Sequence, residues 1–75
     1  MSNPQIDRKR WRNEAGQLHR LDGPAEVDDG YKEWWVDGMF LYNMDSKGNG
    51  SLAPKAKEIP YSIKQSIAIE KLKSQ

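Results

Sequence analysis

The chain has 75 residues, no cysteine, and 12 basic against 11 acidic side chains, for a formal net charge of +1. This length fits one domain, which buries only about 60% of the surface that its unfolded chain exposes. The composition excludes disulfides and thiolate metal sites, and no apolar run is long enough for a signal peptide or a membrane span, so we expect a soluble, cytoplasmic protein.

Charge is distributed unevenly along the chain. Residues 1–12 carry four basic side chains and one acidic one, residues 13–45 carry eight acidic and two basic, and residues 46–75 carry six lysines and two glutamates. An acidic centre between basic ends disfavours one continuous phosphate-binding face and fits self-association or a partner of mixed charge. An ordinary solvated surface is the alternative.

The first two predicted segments are a flexible lead-in at residues 1–9 and a β-meander at residues 10–44. Short strand-like runs alternate with turn signals in the meander, namely RKRWRN, QLHRL, AEVD, YKEWWV and MFLYNM. Asp29-Gly30 and Asp37-Gly38 predict type I′ hairpin turns, because both central residues of such a turn need φ > 0. Asp22-Gly23-Pro24 predicts a wider corner or an edge position, because proline has no N–H to donate.

Strand alternation divides the aromatic residues between two faces. In YKEWWV, Tyr31 and Trp35 share one face and Trp34 takes the other. In MFLY, Met39 and Leu41 oppose Phe40 and Tyr42. One tryptophan ring therefore lies outside a sheet that buries a single face, and the C-terminal segment, another chain or a ligand must cover it. The candidate partner-binding residues are Trp34, Trp35, Phe40, Tyr42 and Tyr31.

The last two predicted segments are a linker at residues 45–58 and a C-terminal helix at residues 59–75. Gly, Ser, Asn and Lys dominate the linker. Pro60 suits the first helical position. The helix is predicted to have an amphipathic stripe, and lysines in its last turn complement the helix dipole. An isolated helix of this length is only marginally stable in water, so we expect it to dock on the aromatic sheet. The stripe consists of Ile59, Ile63 and Ile67, with Ala68 and Leu72 alongside.

A repeat is visible in residues 11–42, where NEAGQLHRLDGPAEVDDGYKEWWVDGMFL resembles the short MORN-like repeat of small proteins from large tailed bacteriophages. That pattern reads G-x-x-H-R-x-D-G-P-A, then D-G, then W-x-x-G. The resemblance implies a β-meander in which each hairpin packs on the next, and it implies no enzymatic activity. The matching positions, which we expect to have structural roles, are Gly16, His19, Arg20, Asp22, Gly23, Pro24, Ala25, Asp29, Gly30, Trp34 or Trp35, and Gly38.

The repeat pattern is not completed a second time. After Gly38 the chain reads MFLYNMDSKG where another H-R-x-D-G-P-A is expected. We therefore expect the array to stop there. A terminal unit that departs from its repeat caps the array or forms a partner-specific surface.

Catalytic and metal-binding interpretations are weaker than structural ones. An imidazole at His19 beside the carboxylate of Asp22 could act as a base, but no nucleophile motif, phosphate loop or metal-ligand spacing accompanies them. We expect Asp22 to accept backbone N–H bonds at its corner and Arg20 to pair across strands. The carboxylates Asp28, Asp29, Glu33 and Asp37 lack the spacing of a calcium loop. No cofactor or metal is predicted.

The sequence thus predicts an α+β fold: a small antiparallel β-meander of four or five short strands followed by one C-terminal amphipathic helix. The function that it favours is a small non-enzymatic protein-interaction module, with a homo-oligomer as a further possibility. By the resemblance, this module is phage-encoded, and it binds and inhibits or redirects a host protein in the host cytoplasm. The alternative is a nucleic-acid-binding accessory protein that uses the basic ends and the aromatic face.

Overall fold

The computed structural model describes residues 8–28, 30–53 and 58–73. Five antiparallel strands form one sheet in the order β1-β2-β3-β4-β5, and one helix follows them. This confirms the predicted α+β meander. The elements are β1 (Lys9–Arg10), β2 (Glu26–Asp28), β3 (Tyr31–Val36), β4 (Met39–Asp45), β5 (Gly50–Leu52) and α1 (Tyr61–Lys73).

The β3–β4 hairpin turns at Asp37-Gly38 as predicted. The φ angles of these two residues are 50° and 76°. Both lie in the left-handed region that a type I′ turn requires. Gly30, before β3, has φ of 91°, and Asp29 lies outside the described residues.

A β-bulge interrupts the β3–β4 pairing. Trp34 pairs with Tyr42 and Trp35 pairs with Phe40, so Leu41 is an extra residue on β4. A bulge re-aims the side chains beside it. Leu41 is buried in the core and Tyr42 packs against that core, so the strict alternation predicted for residues 39–42 is wrong.

The predicted strand QLHRL forms only an isolated bridge between Arg12 and Leu18. The sheet gains its fifth strand instead from residues 50–52, inside the segment predicted to be a linker. At the other end, Lys9 belongs to β1 rather than to the predicted lead-in, whose residues 1–7 lie outside the described part. Cross-strand pairing, which local composition does not report, decides all three differences.

The loop between β4 and β5 is a closed turn because of Asp45. Its carboxylate Oδ1 accepts the backbone N–H groups of Lys47 and Asn49, each at 2.9 Å. Gly48 adopts φ of 87° and donates its N–H to the Asp45 carbonyl. These bonds reverse the chain into β5, so the interpretation of residues 45–53 as a linker is wrong. Residues 54–57 lie outside the described part.

Helix α1 covers one face of the sheet. Pro60 precedes the helix, and its carbonyl accepts the N–H groups of Ile63 and Lys64. Residues 74–75 lie outside the described part. The predicted apolar stripe is partly wrong. Leu72 and Ala68 are exposed, whereas Ser66, which was not assigned to the stripe, is buried. The core consists of Trp34, Leu41, Met44 and Ile63, with Val36, Tyr42, Ile59 and Ile67 packed against it.

Candidate functional site

Trp34 lies in the core, between the sheet and helix α1. Its ring is fully buried, and its Nε1 donates a hydrogen bond of 3.0 Å to the Ser66 hydroxyl. Tyr42 meets it edge to face, with ring centroids 5.8 Å apart, and Lys71 of α1 lies 5.8 Å from the Tyr42 ring centroid. Trp34 is therefore not available to a partner, and its inclusion among the partner-binding residues is wrong because the helix covers it. Tyr42 belongs to the same covered face.

The opposite side of the sheet carries the other aromatic candidates. Strand pairing aligns its side chains in cross-strand rows, of which one joins Trp35 to Phe40 and another joins Tyr31 to Asp45. We call this surface the distal face. Its residues are Arg10, Glu26, Asp28, Tyr31, Glu33, Trp35, Phe40, Asn43, Asp45 and Ser51.

Trp35 and Phe40 form a tilted aromatic pair on the distal face. Their ring centroids are 5.3 Å apart and their planes are inclined by 52°. The Trp35 Nε1 donates to Glu33 Oε1 at 2.9 Å, which satisfies the polar end of the indole and fixes its rotamer. Both rings are half-buried, and Tyr31 is 39% exposed. The structure thus separates the five aromatic candidates into two behind the helix and three on the distal face.

Carboxylates surround these rings, and two of them are paired within the chain. Arg8 lies 3.1 Å from Asp28, and Arg10 lies 3.5 Å from Glu26. Both arginines come from the basic N-terminal segment, and both carboxylates lie on β2. Pairing offsets part of the carboxylate charge on this part of the distal face, and the Arg8 and Arg10 side chains remain 51% and 40% exposed.

The distal face also contains a concavity of about 530 Å³ at the loop end of β3, β4 and β5. Its lining includes Tyr31, Asn43, Asp45 and Ser51. The sequence interpretation missed this feature because it assigned residues 45–58 to a linker. The sequence did contain a signal for a turn here. The Asp-x-x-Gly spacing of residues 45–48 repeats the Asn-x-x-Gly spacing of residues 13–16.

The HRLDGPA string builds the corner beside the sheet around the Arg20 guanidinium. This group lies 4.0 Å from the Trp11 ring centroid, in a cation–π contact, and donates to Asp22 Oδ1 at 2.8 Å and to the Pro24 carbonyl at 3.2 Å. A Cβ on Gly23 would lie 2.7 Å from the Arg20 side chain, so glycine makes room for it. Arg20 therefore does not pair across strands as expected; it pairs within its own corner.

Asp22 and His19 have structural partners. The Arg20 guanidinium, by hydrogen bond and by charge, holds the pKa of the Asp22 carboxyl below its ordinary value. His19 Nδ1 accepts the Asp37 N–H at 2.9 Å. The Asp37 carboxylate Oδ1 also lies 3.3 Å from this nitrogen. His19 thus joins the corner to the neighbouring turn, whereas Asp22 is held within the corner by Arg20.

Comparisons with protein-family models, curated protein sequences and solved structures found no significant match. Within residues 8–28, 30–53 and 58–73, no three His, Asp or Glu side chains are grouped to hold a metal ion. The one helix of that part is too short and too polar to cross a membrane.

Proposed function

We propose that this chain is a small non-enzymatic interaction module that binds another protein through the distal face. The observation that carries the proposal is the Trp35–Phe40 pair, which stays half-exposed on the face that the helix leaves uncovered. Tryptophan and tyrosine are enriched among the residues that dominate binding energy at protein interfaces. Trp35, Phe40 and Tyr31 are the proposed anchors.

The polar surroundings of the anchors support a protein partner. Interfaces combine an apolar centre with a polar rim, and the distal face places Glu33, Asn43, Asp45 and Ser51 around its rings. The acidic side chains favour a partner segment that carries basic groups or N–H donors, because complementary charge increases the rate and the specificity of association.

The same electrostatics weigh against nucleic acid as the partner. The basic ends of the chain were the features that favoured it. At the N-terminal end, Arg8 and Arg10 are engaged by carboxylates on β2, and at the C-terminal end Lys73 lies 3.6 Å from Glu70. A phosphate backbone is attracted by clustered, available Lys and Arg side chains. An aromatic face bordered by carboxylates has the wrong sign for phosphate.

The biological setting follows from the resemblance alone. Residues 11–42 resemble MORN-like repeat proteins of large tailed bacteriophages, and on that basis we propose a phage-encoded protein that acts in the host cytoplasm. Its target would be a host protein, which stoichiometric binding inhibits or redirects. No catalytic step is required of this chain for such a role.

The proposal is tested by affinity capture from bacterial lysate with nuclease added, followed by mass spectrometry. We expect one protein near one-to-one stoichiometry, lost with Trp35→Ala and retained with Tyr61→Ala. Tyr61 is a matched control because it is an aromatic residue, 74% exposed, on the helix. Circular dichroism establishes that each variant is folded.

Two results would contradict the proposal. Capture that Trp35→Ala leaves intact would exclude the distal face as the contact surface. Recovery of nucleic acid alone, or of proteins that nuclease removes, would support the nucleic-acid alternative. In that case binding should weaken steeply with added salt, because counterions are released from the phosphates.

A further inference from the structure

Two loops of the chain, one beginning at Asn13 and the other at Asp45, make equivalent hydrogen bonds. Asn13 Oδ1 accepts the N–H groups two and four residues later, each at 3.0 Å, and Asp45 Oδ1 does the same at 2.9 Å. The glycines three residues after each, Gly16 and Gly48, have φ of 82° and 87°. The backbone bonds that close the two loops also correspond. The second loop is a structural copy of the first.

The equivalence extends into the strands that follow the loops. After the first loop, His19 donates its N–H to the Trp11 carbonyl. At the corresponding position after the second loop, Ser51 is the register partner of Asn43. By the same correspondence, Leu18 corresponds to Gly50, and Arg20 corresponds to Leu52.

The outer edge of the first copy is covered by the turn end of the β3–β4 hairpin, through two backbone hydrogen bonds. The Leu18 carbonyl accepts the Gly38 N–H at 2.9 Å, and the Arg20 N–H donates to the Trp35 carbonyl at 3.0 Å. From Leu18 to Arg20 the bonded partners run backwards along the chain, from Gly38 to Trp35, which is the antiparallel direction. The end of the β3–β4 hairpin thus occupies the edge.

The corresponding edge of the second copy is uncovered in the described part of the chain. There β5 is the last strand of the sheet and pairs only with β4. Backbone groups of Gly50 and Leu52 point outward, as those of Leu18 and Arg20 do, and all three residues of β5 are exposed. Sheet edges are normally protected by charge or proline, and β5 has neither.

We propose that β5 is a dimerisation edge that pairs antiparallel with β5 of a second copy of this chain. When the two strands pair with Ser51 opposite Ser51, Gly50 of each copy lies opposite Leu52 of the other. The outward N–H and C=O groups of both residues are then hydrogen-bonded. A register centred on Gly50 or Leu52 would pair fewer groups. The strand has no charged side chain to repel its copy, and the contact covers Leu52, which is 52% exposed.

A three-residue edge makes a small contact, so association depends on protein concentration. Stable interfaces bury roughly 1,200–2,000 Å² in total, and two paired three-residue strands bury less. Ser51 lies opposite its own copy in a non-hydrogen-bonded pair, where Cα atoms approach to about 4.5 Å. A disulfide spans that separation, and the chain has no other cysteine.

The test is oxidation of Ser51→Cys, with Met39→Cys as the control. Met39 is 57% exposed at the far end of the β3–β4 hairpin. We expect Ser51→Cys to become predominantly a disulfide-linked dimer and Met39→Cys to remain monomeric. A Ser51→Cys variant whose thiol reacts with a small alkylating reagent but does not crosslink, or equal crosslinking of the two variants, would overturn the proposal.

Sedimentation velocity without crosslinking provides the second measurement. Leu52→Pro removes an outward N–H that β4 does not use, and proline is tolerated at such edge positions. We expect the unmodified chain to dimerise as concentration rises and Leu52→Pro to stay monomeric with an unchanged circular dichroism spectrum. A chain that is monomeric at every concentration, or a Leu52→Pro variant that dimerises equally, would contradict it. The distal-face capture experiment does not depend on this result.

Discussion

Trp34 donates its indole N–H to the hydroxyl of Ser66 at 3.0 Å, and this buried bond joins the centre of the sheet to the helix. Both groups lie in the core, so neither has water as an alternative partner. A buried donor that loses its acceptor costs about 1–3 kcal/mol. The bond explains why a serine occupies the covered side of the helix.

Replacing this acceptor should destabilise the protein. We expect Ser66→Ala to lower the free energy of unfolding by about 1–3 kcal/mol, because the Trp34 N–H is left unpaired. Urea denaturation monitored by tryptophan fluorescence measures the change. Ser62→Ala is the control, since Ser62 is exposed on the same helix. Equal effects of the two substitutions would show that the bond contributes nothing.

The two adjacent tryptophans should differ in their contribution to stability. We expect Trp34→Ala to cost about 3–5 kcal/mol, the range for large residues removed from a core. Trp35→Ala should cost about 1–2 kcal/mol, because its ring is only half-buried. Thermal denaturation compares them, with Trp34→Phe as the substitute if Trp34→Ala does not fold. Equal, large losses would contradict the assignment of Trp35 to the distal face.

The turn at Asp45 should depend on its side-chain oxygen. We expect Asp45→Ala to cost about 1 kcal/mol, because two backbone N–H groups lose their acceptor. Asp45→Asn should be nearly neutral, since Asn13 makes the same bonds in the equivalent loop. Denaturant midpoints measure both variants. A loss with Asp45→Asn as large as with Asp45→Ala would contradict this account of the turn.

The Arg20–Asp22 pair should give a weak pH dependence of stability. The folded pKa of Asp22 is lowered, chiefly by the Arg20 hydrogen bond and charge. The stabilisation is therefore complete above the ordinary Asp pKa of about 4 and is lost as pH falls through the lowered folded pKa. The effect is small because the Asp22 side chain is 85% exposed.

An NMR titration of the Asp22 carboxyl checks this pair directly. Arg20→Gln should raise the Asp22 pKa towards its ordinary value, because it removes the charge and the main donor. High salt should shift the pKa of the unmodified protein in the same direction, since it screens an exposed pair. An Asp22 pKa that neither change moves would show that Arg20 is not the cause.

Local chemistry in the sequence was enough to predict the elements that depend on a few neighbouring residues. Asp37-Gly38 predicts its type I′ turn because few residue pairs tolerate φ > 0. The isoleucine spacing predicts helix α1 and its docking on the sheet. Alternation in YKEWWV correctly separates Trp34 from Trp35.

Only the tertiary structure decided which tryptophan is covered, because that choice depends on the face over which the chain places its helix after β5. Sequence patterns also did not predict the bulge at Leu41 or the pairing of residues 50–52 with β4, since both depend on contacts across strands. Periodicity gives the faces of a strand but not which face meets the core. The side of the sheet left open, and with it the candidate binding surface, is a consequence of the packing of helix α1 on Trp34.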